Sequence, residues 1–194
     1  MSTAASPWQQ GWLGSVAHTP SPNQGARPSN AQIDLLVIHS ISLPPGVFGG
    51  RHIDALFTNT LDWDAHPYFQ QIRGLEVSAH FVIRRSGEVV QFVSCDRRAW
   101  HAGRSVWRGR DNCNNDSIGI ELEGLEGGSF EAAQYQSLLP LCQAIGRHYP
   151  IGHLAGHEHI APGRKGDPGA GFDWNRLSQG LGWHAACFPP QGKP

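Results

Sequence analysis

Histidines and carboxylates crowd one segment near the C-terminal end of the chain, GHLAGHEHIAPGRKGDPGAGFDW (152–174). Imidazole nitrogen and carboxylate oxygen are both ligands of Zn²⁺, and a catalytic zinc keeps three protein ligands plus water. The helical zinc motif H-E-x-x-H is absent, because the order is H-E-H at 157–159 and a glycine precedes each of His153 and His157. We therefore expect a strand or loop here, and at least one ligand from another segment.

His39 is the best-placed candidate for that further ligand. The run IDLLVIHS (33–40) is dense in β-branched apolar residues, which predicts a buried central strand that ends at His39. A rigid strand backbone suits a metal ligand. Composition and spacing alone leave two interpretations open, a zinc site or a cluster of hydrogen-bonded histidines in a glycine-rich loop.

Periodicity and turn signals predict the elements that must position these residues. They are a short helix (51–59), a hairpin that turns at Ser86–Gly87 (79–93), a polar loop (100–116), a strand (117–124), a long helix (129–149), a short strand (151–157) and a final helix (172–181). Ser129 is the expected N-cap of the long helix, and Pro140 predicts a kink or two shorter helices. Asp173 is the expected cap of the final helix.

Strands and helices mix without a regular βαβ rhythm, which predicts one α+β domain with a central sheet and helices against it. The first thirty residues are rich in Pro, Ser, Gly and Asn. We expect an extended arm (1–30) laid over the domain (31–185), followed by a C-terminal tail (186–194).

Length and charge exclude several classes of function. The 194 residues are 39% apolar, which suits one core, and the formal net charge of −1 predicts no surface for nucleic acid or lipid. Neither a secretory leader nor a membrane-spanning stretch is recognisable, so we expect a cytoplasmic protein, and a monomer. The cysteines form no C-x-x-C pair and are expected to be free thiols: Cys95, Cys113, Cys142 and Cys187.

Six motifs keep one order from about residue 20 to residue 175: SPN (21–23), LLVIHSISLPPGVFGG (35–50), VSAHFVIRRSGE (77–88), AWHAG (99–103), CNNDSIGIELEG (113–124) and GHEHIAPGRKGDPG (156–169). Together they resemble the cytoplasmic N-acetylmuramoyl-L-alanine amidases of the AmpD type, within the wider family that includes peptidoglycan-recognition proteins. The resemblance implies a mixed central β-sheet flanked by α-helices, with one Zn²⁺ in a cleft. It also implies cleavage of the amide between the lactyl group of N-acetylmuramic acid and L-alanine.

In this branch of the family the preferred substrate is a small muropeptide with a 1,6-anhydro sugar, a product of cell-wall turnover. The resemblance thus implies peptidoglycan recycling, with an effect on β-lactamase induction. By their positions in the motifs, five residues resemble functional residues of the family: His39, His157 and Asp167 as zinc ligands, Glu121 as the catalytic acidic residue and Lys165 as the stabiliser of the transition state. Sequence order alone does not choose between Glu121 and Glu123, which share a strand face, whereas the motif favours Glu121.

Ser40, Trp100, His101 and Arg110 are the candidates for substrate binding. Ser40 departs from the family, which usually has asparagine after its first histidine. The family also often carries arginines in the segments around Glu76 and Asn112. These two positions are not basic in this chain, although Arg108 and Arg110 are close. We therefore expect peptide recognition to differ from the family more than the zinc chemistry does.

Two other functions remain as alternatives. One is a non-catalytic peptidoglycan-binding module of the same fold, which is disfavoured because every expected ligand and catalytic position is filled. The other is an exported lytic amidase that acts on intact cell wall, which the sequence of the N-terminus disfavours.

Overall fold

The computed structural model describes residues 6–189, so the ends of the predicted arm (1–5) and tail (190–194) lie outside the described residues. Its strands are β1 (Trp8–Gln9), β2 (Trp12–Leu13), β3 (Ala17–His18), β4 (Gln24–Gly25), β5 (Leu35–Ile41), β6 (Phe81–Ile83), β7 (Val89–Gln91), β8 (Arg98–Ala99), β9 (Val106–Trp107), β10 (Arg110–Asp111), β11 (Ser117–Glu123) and β12 (His153–Gly156). Its helices are α1 (His52–Phe57), α2 (Pro67–Gln71), α3 (Ala132–His148), α4 (His157–Ile160) and α5 (Trp174–Leu181), with 3₁₀ turns at Cys113–Asn115 and Ala185–Cys187.

A mixed sheet in the order β12-β5-β11-β6-β7-β3 forms the centre of the fold, as predicted. Strands β12, β5, β11 and β6 run parallel, and β6 and β7 form the predicted antiparallel hairpin. The carboxyl ends of β12, β5 and β11 therefore meet at one edge, which is where open α/β sheets bind ligands.

Side chains along β5 and β11 alternate between the two faces of the sheet. One face packs against α3 and α5 through a row of fully buried aliphatic side chains: Leu36, Ile38, Ile118, Ile120 and Leu122. Because successive side chains on a strand point to opposite faces, His39 and Glu121 project from the other face. Helices α1 and α2 cover that face only beside the hairpin, through a second cluster that includes Phe57, Phe69 and Val82.

Helix α3 begins later than predicted, so the prediction of Ser129 as its N-cap is wrong. The helix follows Glu131, whose backbone N–H donates to Oε1 of Gln134 at 2.9 Å. The physical reason is the packing of Phe130, the residue between Ser129 and Glu131. Phe130 is buried in the core against the ring of Phe172, with centroids 5.7 Å apart, and the chain enters the helix only after this contact.

Pro140 does not divide α3, which is one helix of 17 residues. Proline removes the amide that would bond the carbonyl oxygen four residues earlier, here that of Gln136. Both Pro140 and Gln136 are exposed, so water can take the place of the lost donor. The proline is thus accommodated on the solvent side of the helix.

The predicted cap of α5 is confirmed, because Oδ1 of Asp173 accepts from the backbone N–H of Arg176 at 2.8 Å. Strand β5 runs two residues beyond the predicted end at His39, so His39 lies within a paired strand. Among residues 6–189, no helix combines the length and apolar character needed to cross a membrane.

Candidate active site

Three buried side chains converge beyond the carboxyl ends of β5 and β12. His39 lies near the end of β5, His157 opens α4 directly after β12, and Asp167 follows in the next loop. Nδ1 of His39 lies 3.0 Å from Nδ1 of His157, and Oδ2 of Asp167 lies 3.2 Å from each of these nitrogens. Within residues 6–189 this is the one cluster of three or more histidine, cysteine or acidic side chains that could hold a metal ion.

A glycine allows Asp167 to return beside His157. A Cβ atom on Gly156 would lie 2.8 Å from Cδ of Pro168, so any other residue at the end of β12 would push the loop away. The backbone N–H of Glu158 donates to the carbonyl oxygen of Asp167 at 2.9 Å, which fastens the loop to α4. The rigid ends of β5 and β12 and this closed loop thus position all three side chains.

The hydrogen-bond partners of His157 show which of its nitrogens is free. Nε2 lies 3.1 Å from the carbonyl oxygen of Ala102, which can only accept, so Nε2 carries the hydrogen of the neutral ring. Nη2 of Arg164, at 3.4 Å, is no alternative donor, because it already donates to the carbonyl oxygens of Ala102 and Arg104. Nδ1 of His157 therefore presents a lone pair to His39 and Asp167.

This donor set fits a metal ion. Ligands with bonds of about 2.0–2.1 Å at the corners of a tetrahedron lie about 3.3 Å apart, close to the spacing observed between the three atoms. Burial lowers the pKa of His39 to about 4, so His39 is neutral at pH 7, as a ligand must be.

Glu121 lies beside this cluster. It is the register partner of His39 on β11, and its buried Oε2 atom has no hydrogen-bond partner among the described residues. Burial, and then the charge of Asp167, raise the pKa of Glu121 well above its ordinary value, while Lys165 opposes the rise. An unpartnered carboxyl in this position can accept and return a proton.

Glu123, on the same strand face, is already engaged in structural contacts. Its Oε1 accepts from the backbone N–H of Gly49 at 2.6 Å, and its Oε2 accepts from that of Arg85 at 3.2 Å. Glu123 thus fixes the loop before α1 and the hairpin. Of the two carboxylates that the sequence left as alternatives, Glu121 is the one that faces the cluster without a partner.

A cavity of about 380 Å³ opens over these groups. Its polar end holds Glu121, His157 and Asp167, and the exposed Lys165 lines its mouth. Five apolar or aromatic side chains also line it: Leu43, Leu56, Phe57, Tyr68 and Ile72. The cavity thus combines these polar groups with an apolar surface of the kind that contacts a sugar ring or an alkyl group.

The four substrate-contact candidates fall in different places. Ser40 and Trp100 line the cavity and are half-buried, and the buried Oγ of Ser40 has no hydrogen-bond partner among residues 6–189. His101 also lines the cavity, but both of its nitrogens are bonded within the protein. Arg110 lies outside the cavity, where Nη2 donates to both carboxylate oxygens of Asp34 at 2.7 and 2.9 Å.

The remaining histidines near the cluster are bonded elsewhere. Nε2 of His153 lies 2.8 Å from Nη1 of Arg108, and Nδ1 of His159 accepts from the backbone N–H of Gly156. Sequence reasoning missed Ser117, which bonds His101 from the same strand face as Glu121. The sequence contained an indication of this position. Ser117, Gly119 and Glu121 are spaced two residues apart, which places them on one face of a strand.

Comparison with known proteins gives one consistent family. The family model described as N-acetylmuramoyl-L-alanine amidase matches residues 29–170. The 1,6-anhydro-N-acetylmuramyl-L-alanine amidase AmpD of Enterobacter cloacae is 52% identical over 171 residues, which cover 87% of this chain and 91% of that protein.

Solved structures point to the same family. A crystal structure of an AmpD selenomethionine derivative superposes with a TM-score of 0.87 at 52% identity, covering 89% of this chain and 98% of that one. Escherichia coli AmiD, in complex with anhydro-N-acetylmuramic acid-L-Ala-D-γ-Glu-L-Lys, has a TM-score of 0.56 at 32% identity, covering 79% of this chain and 60% of that one. The chain therefore belongs to the N-acetylmuramoyl-L-alanine amidase family.

Proposed function

We propose that this protein hydrolyses the amide bond between the lactyl group of 1,6-anhydro-N-acetylmuramic acid and L-alanine, in the recycling of cell-wall muropeptides. Zn²⁺ would be held by Nδ1 of His39, Nδ1 of His157 and the carboxylate of Asp167. The observation that carries the proposal is the unpartnered Oε2 of Glu121 beside this donor set, of which His157 and Asp167 line the same cavity as Glu121.

When bound, Zn²⁺ would supply a Lewis acid that acidifies water and polarises the amide carbonyl. The Glu121 carboxylate takes a proton from the attacking water and delivers it to the leaving amide nitrogen. Lys165, at the mouth of the cavity, places its ammonium near the oxygen on which negative charge develops. The two histidines stay neutral and the aspartate stays ionised, so the site with its ion carries a net charge of about +1.

The relatives support the choice of substrate. AmpD of E. cloacae is named for the anhydro substrate, and AmiD was solved with an anhydromuramyl tripeptide. In this chain we propose Ser40 and Trp100 as substrate contacts, because both are half-buried and line the cavity. Trp100 offers an aromatic face to the sugar.

The direct test is release of L-alanyl peptide from anhydromuramyl peptide by the zinc-loaded protein, followed by mass spectrometry. A chelator should abolish release, and added Zn²⁺ should restore it. The Glu121→Gln variant, loaded with zinc, is the matched control for contaminating amidase. Cleavage that survives complete removal of zinc would refute the proposal, and muropeptide binding without turnover would favour a binding module instead.

We further propose a cytoplasmic location and a monomeric state. Fractionation of cells that express the native gene tests the location, and recovery in the periplasm would support an exported lytic amidase. Light scattering of the purified protein tests the monomer, which a mass near twice that of one chain would contradict.

A further inference from the structure

A chain of hydrogen bonds leads from β11 to the proposed ligand His39. Nε2 of His39 lies 2.9 Å from Nδ1 of His101, and Nε2 of His101 lies 3.1 Å from Oγ of Ser117. Oγ of Ser117 lies 2.5 Å from the carbonyl oxygen of Cys113, which is the last acceptor in this series of hydrogen bonds. His39, His101 and Ser117 are all buried, so water does not replace these bonds.

The position of each hydrogen follows from the last acceptor in this series of hydrogen bonds, the carbonyl oxygen of Cys113. The carbonyl of Cys113 can only accept, so the Ser117 hydroxyl donates to it and Oγ is left to accept. His101 must then donate from Nε2, which leaves its Nδ1 as the acceptor for Nε2–H of His39. A neutral imidazole carries one hydrogen, so Nδ1 of His39 is unprotonated where it faces His157 and Asp167.

His101 is held rigidly in the orientation that this chain requires. Oδ1 of Asn114 accepts from the backbone N–H of His101 at 3.1 Å and from that of Ala102 at 2.8 Å. A Cβ atom on Gly119 would lie 2.5 Å from Cγ of His101, so only glycine leaves room for the ring above β11. Asn114 thus fixes the backbone of His101, and the space at Gly119 fixes the position of its ring.

We propose that His101 and Ser117 are positioning residues that hold His39 in the tautomer whose Nδ1 is free to bind a metal ion. The proposal rests on the metal site of the proposed function. Without the Ser117 hydroxyl, His101 has no acceptor for Nε2–H and can carry its hydrogen on Nδ1 instead. That hydrogen would oppose Nε2–H of His39 and would drive the hydrogen of His39 onto Nδ1, the ligand atom.

The first test reads the tautomers directly, in protein labelled with ¹⁵N-histidine and kept metal-free with a chelator at slightly alkaline pH. Long-range ¹H–¹⁵N correlation should show His39 and His101 of the wild type protonated on Nε2. In Ser117→Ala, the His39 signal should gain the pattern of a ring protonated on Nδ1. A wild-type His39 protonated on Nδ1 would refute the proposal.

The second test measures zinc affinity by competition with a chelator of known affinity. Loss of a group that orients a metal ligand typically weakens binding about 10–100-fold, and we expect this for Ser117→Ala and for His101→Phe. Ser117→Thr keeps the hydroxyl and should bind nearly as the wild type does. Ser21→Ala is the matched control, because it removes another buried serine hydroxyl bonded to a backbone carbonyl, that of Phe57.

The outcomes separate this proposal from the proposed function. Unchanged zinc affinity and an unchanged His39 tautomer in Ser117→Ala would refute the positioning role, even if the enzyme is an active zinc amidase. A wild type with the expected tautomers that binds no zinc would refute the proposed metal site instead. If Ser117→Ala does not fold, the wild-type tautomers and the affinity of His101→Phe still decide.

Discussion

His39 and Glu121 are register partners on two adjacent parallel strands, so their side chains leave the same face of the sheet side by side. The pairing of β5 with β11 extends over seven register pairs and is flanked by β12 and β6. A slip of one residue would turn either side chain into the apolar face against α3. The distance between proposed ligand and proposed base is therefore set by backbone hydrogen bonding.

The proposed zinc site predicts the outcome of three single substitutions. His39→Ala, His157→Ala and Asp167→Ala should each reduce bound zinc from about one ion per chain to a small fraction, because each leaves only two protein ligands. Metal analysis after gel filtration measures this. His153→Ala is the control, since that ring bonds Arg108 away from the site, and loss of zinc from it would contradict the assignment.

The role of Glu121 predicts a separation of metal binding from activity. Glu121→Gln should keep zinc and the fold but lower kcat by about 10²–10⁴-fold, the usual contribution of a general acid–base. Steady-state cleavage of anhydromuramyl peptide, with zinc content measured on the same sample, checks this. The exposed Glu88→Gln should behave as the wild type. Wild-type turnover in Glu121→Gln would remove Glu121 from the mechanism.

Lys165 should matter for the transition state and not for the metal. We expect Lys165→Ala to lower kcat about a hundredfold or more, with zinc content unchanged, because a charge opposite the developing oxyanion is lost. Lys165→Arg should recover part of the rate. Arg147→Ala removes an exposed positive charge from α3 and serves as the control. An equal, small effect of both alanine substitutions would show that only general surface charge is involved.

The thiols should differ in reactivity within one folded molecule. Burial raises the pKa of Cys142 to about 12, and burial also raises the pKa values of Cys95 and Cys113. At pH 8 roughly one Cys142 side chain in ten thousand is a thiolate, the form that reacts. We expect a disulfide reagent to modify the half-buried Cys187 quickly and the other three only after unfolding in urea. Rapid reaction of several thiols in the native protein would contradict this.

Buried neutral histidine predicts that stability falls in mild acid. Burial, with the nearby charge of Arg27, lowers the pKa of His80 to about 3, whereas an unfolded histidine titrates near pH 6.5. Between these values the unfolded chain binds a proton that the folded one does not, so stability is lost as the pH falls below about 6.5. The slope is at most about 1.4 kcal/mol per pH unit for each such histidine.

Urea unfolding in a chelator, from about pH 7.5 to about pH 5, measures this slope without a contribution from metal release. His80→Gln removes one titrating group and should flatten the dependence on pH, even if it lowers stability at every pH. Equal slopes for the wild type and His80→Gln would contradict the assignment.

Periodicity predicted the strands that carry His39 and Glu121, because apolar alternation is a local property of the sequence. The start of α3 could not be predicted in the same way. Ser129 is a good cap by residue type, but the contact of Phe130 with Phe172 is a tertiary one and decides where the helix begins. His101 was likewise predicted to touch substrate, whereas its orientation depends on space that Gly119 leaves on a neighbouring strand.

The proposed zinc ligands are far apart in the chain, since His39 precedes His157 by 118 positions and Asp167 by 128. Closing loops of that length is slow and costs chain entropy, so the parallel pairing of β12 with β5 is expected late in folding. A nascent chain can therefore acquire its metal only after the loop that ends at Asp167 has left the ribosome. Zinc uptake during synthesis would thus report that the whole sheet, and not merely its first strands, has assembled.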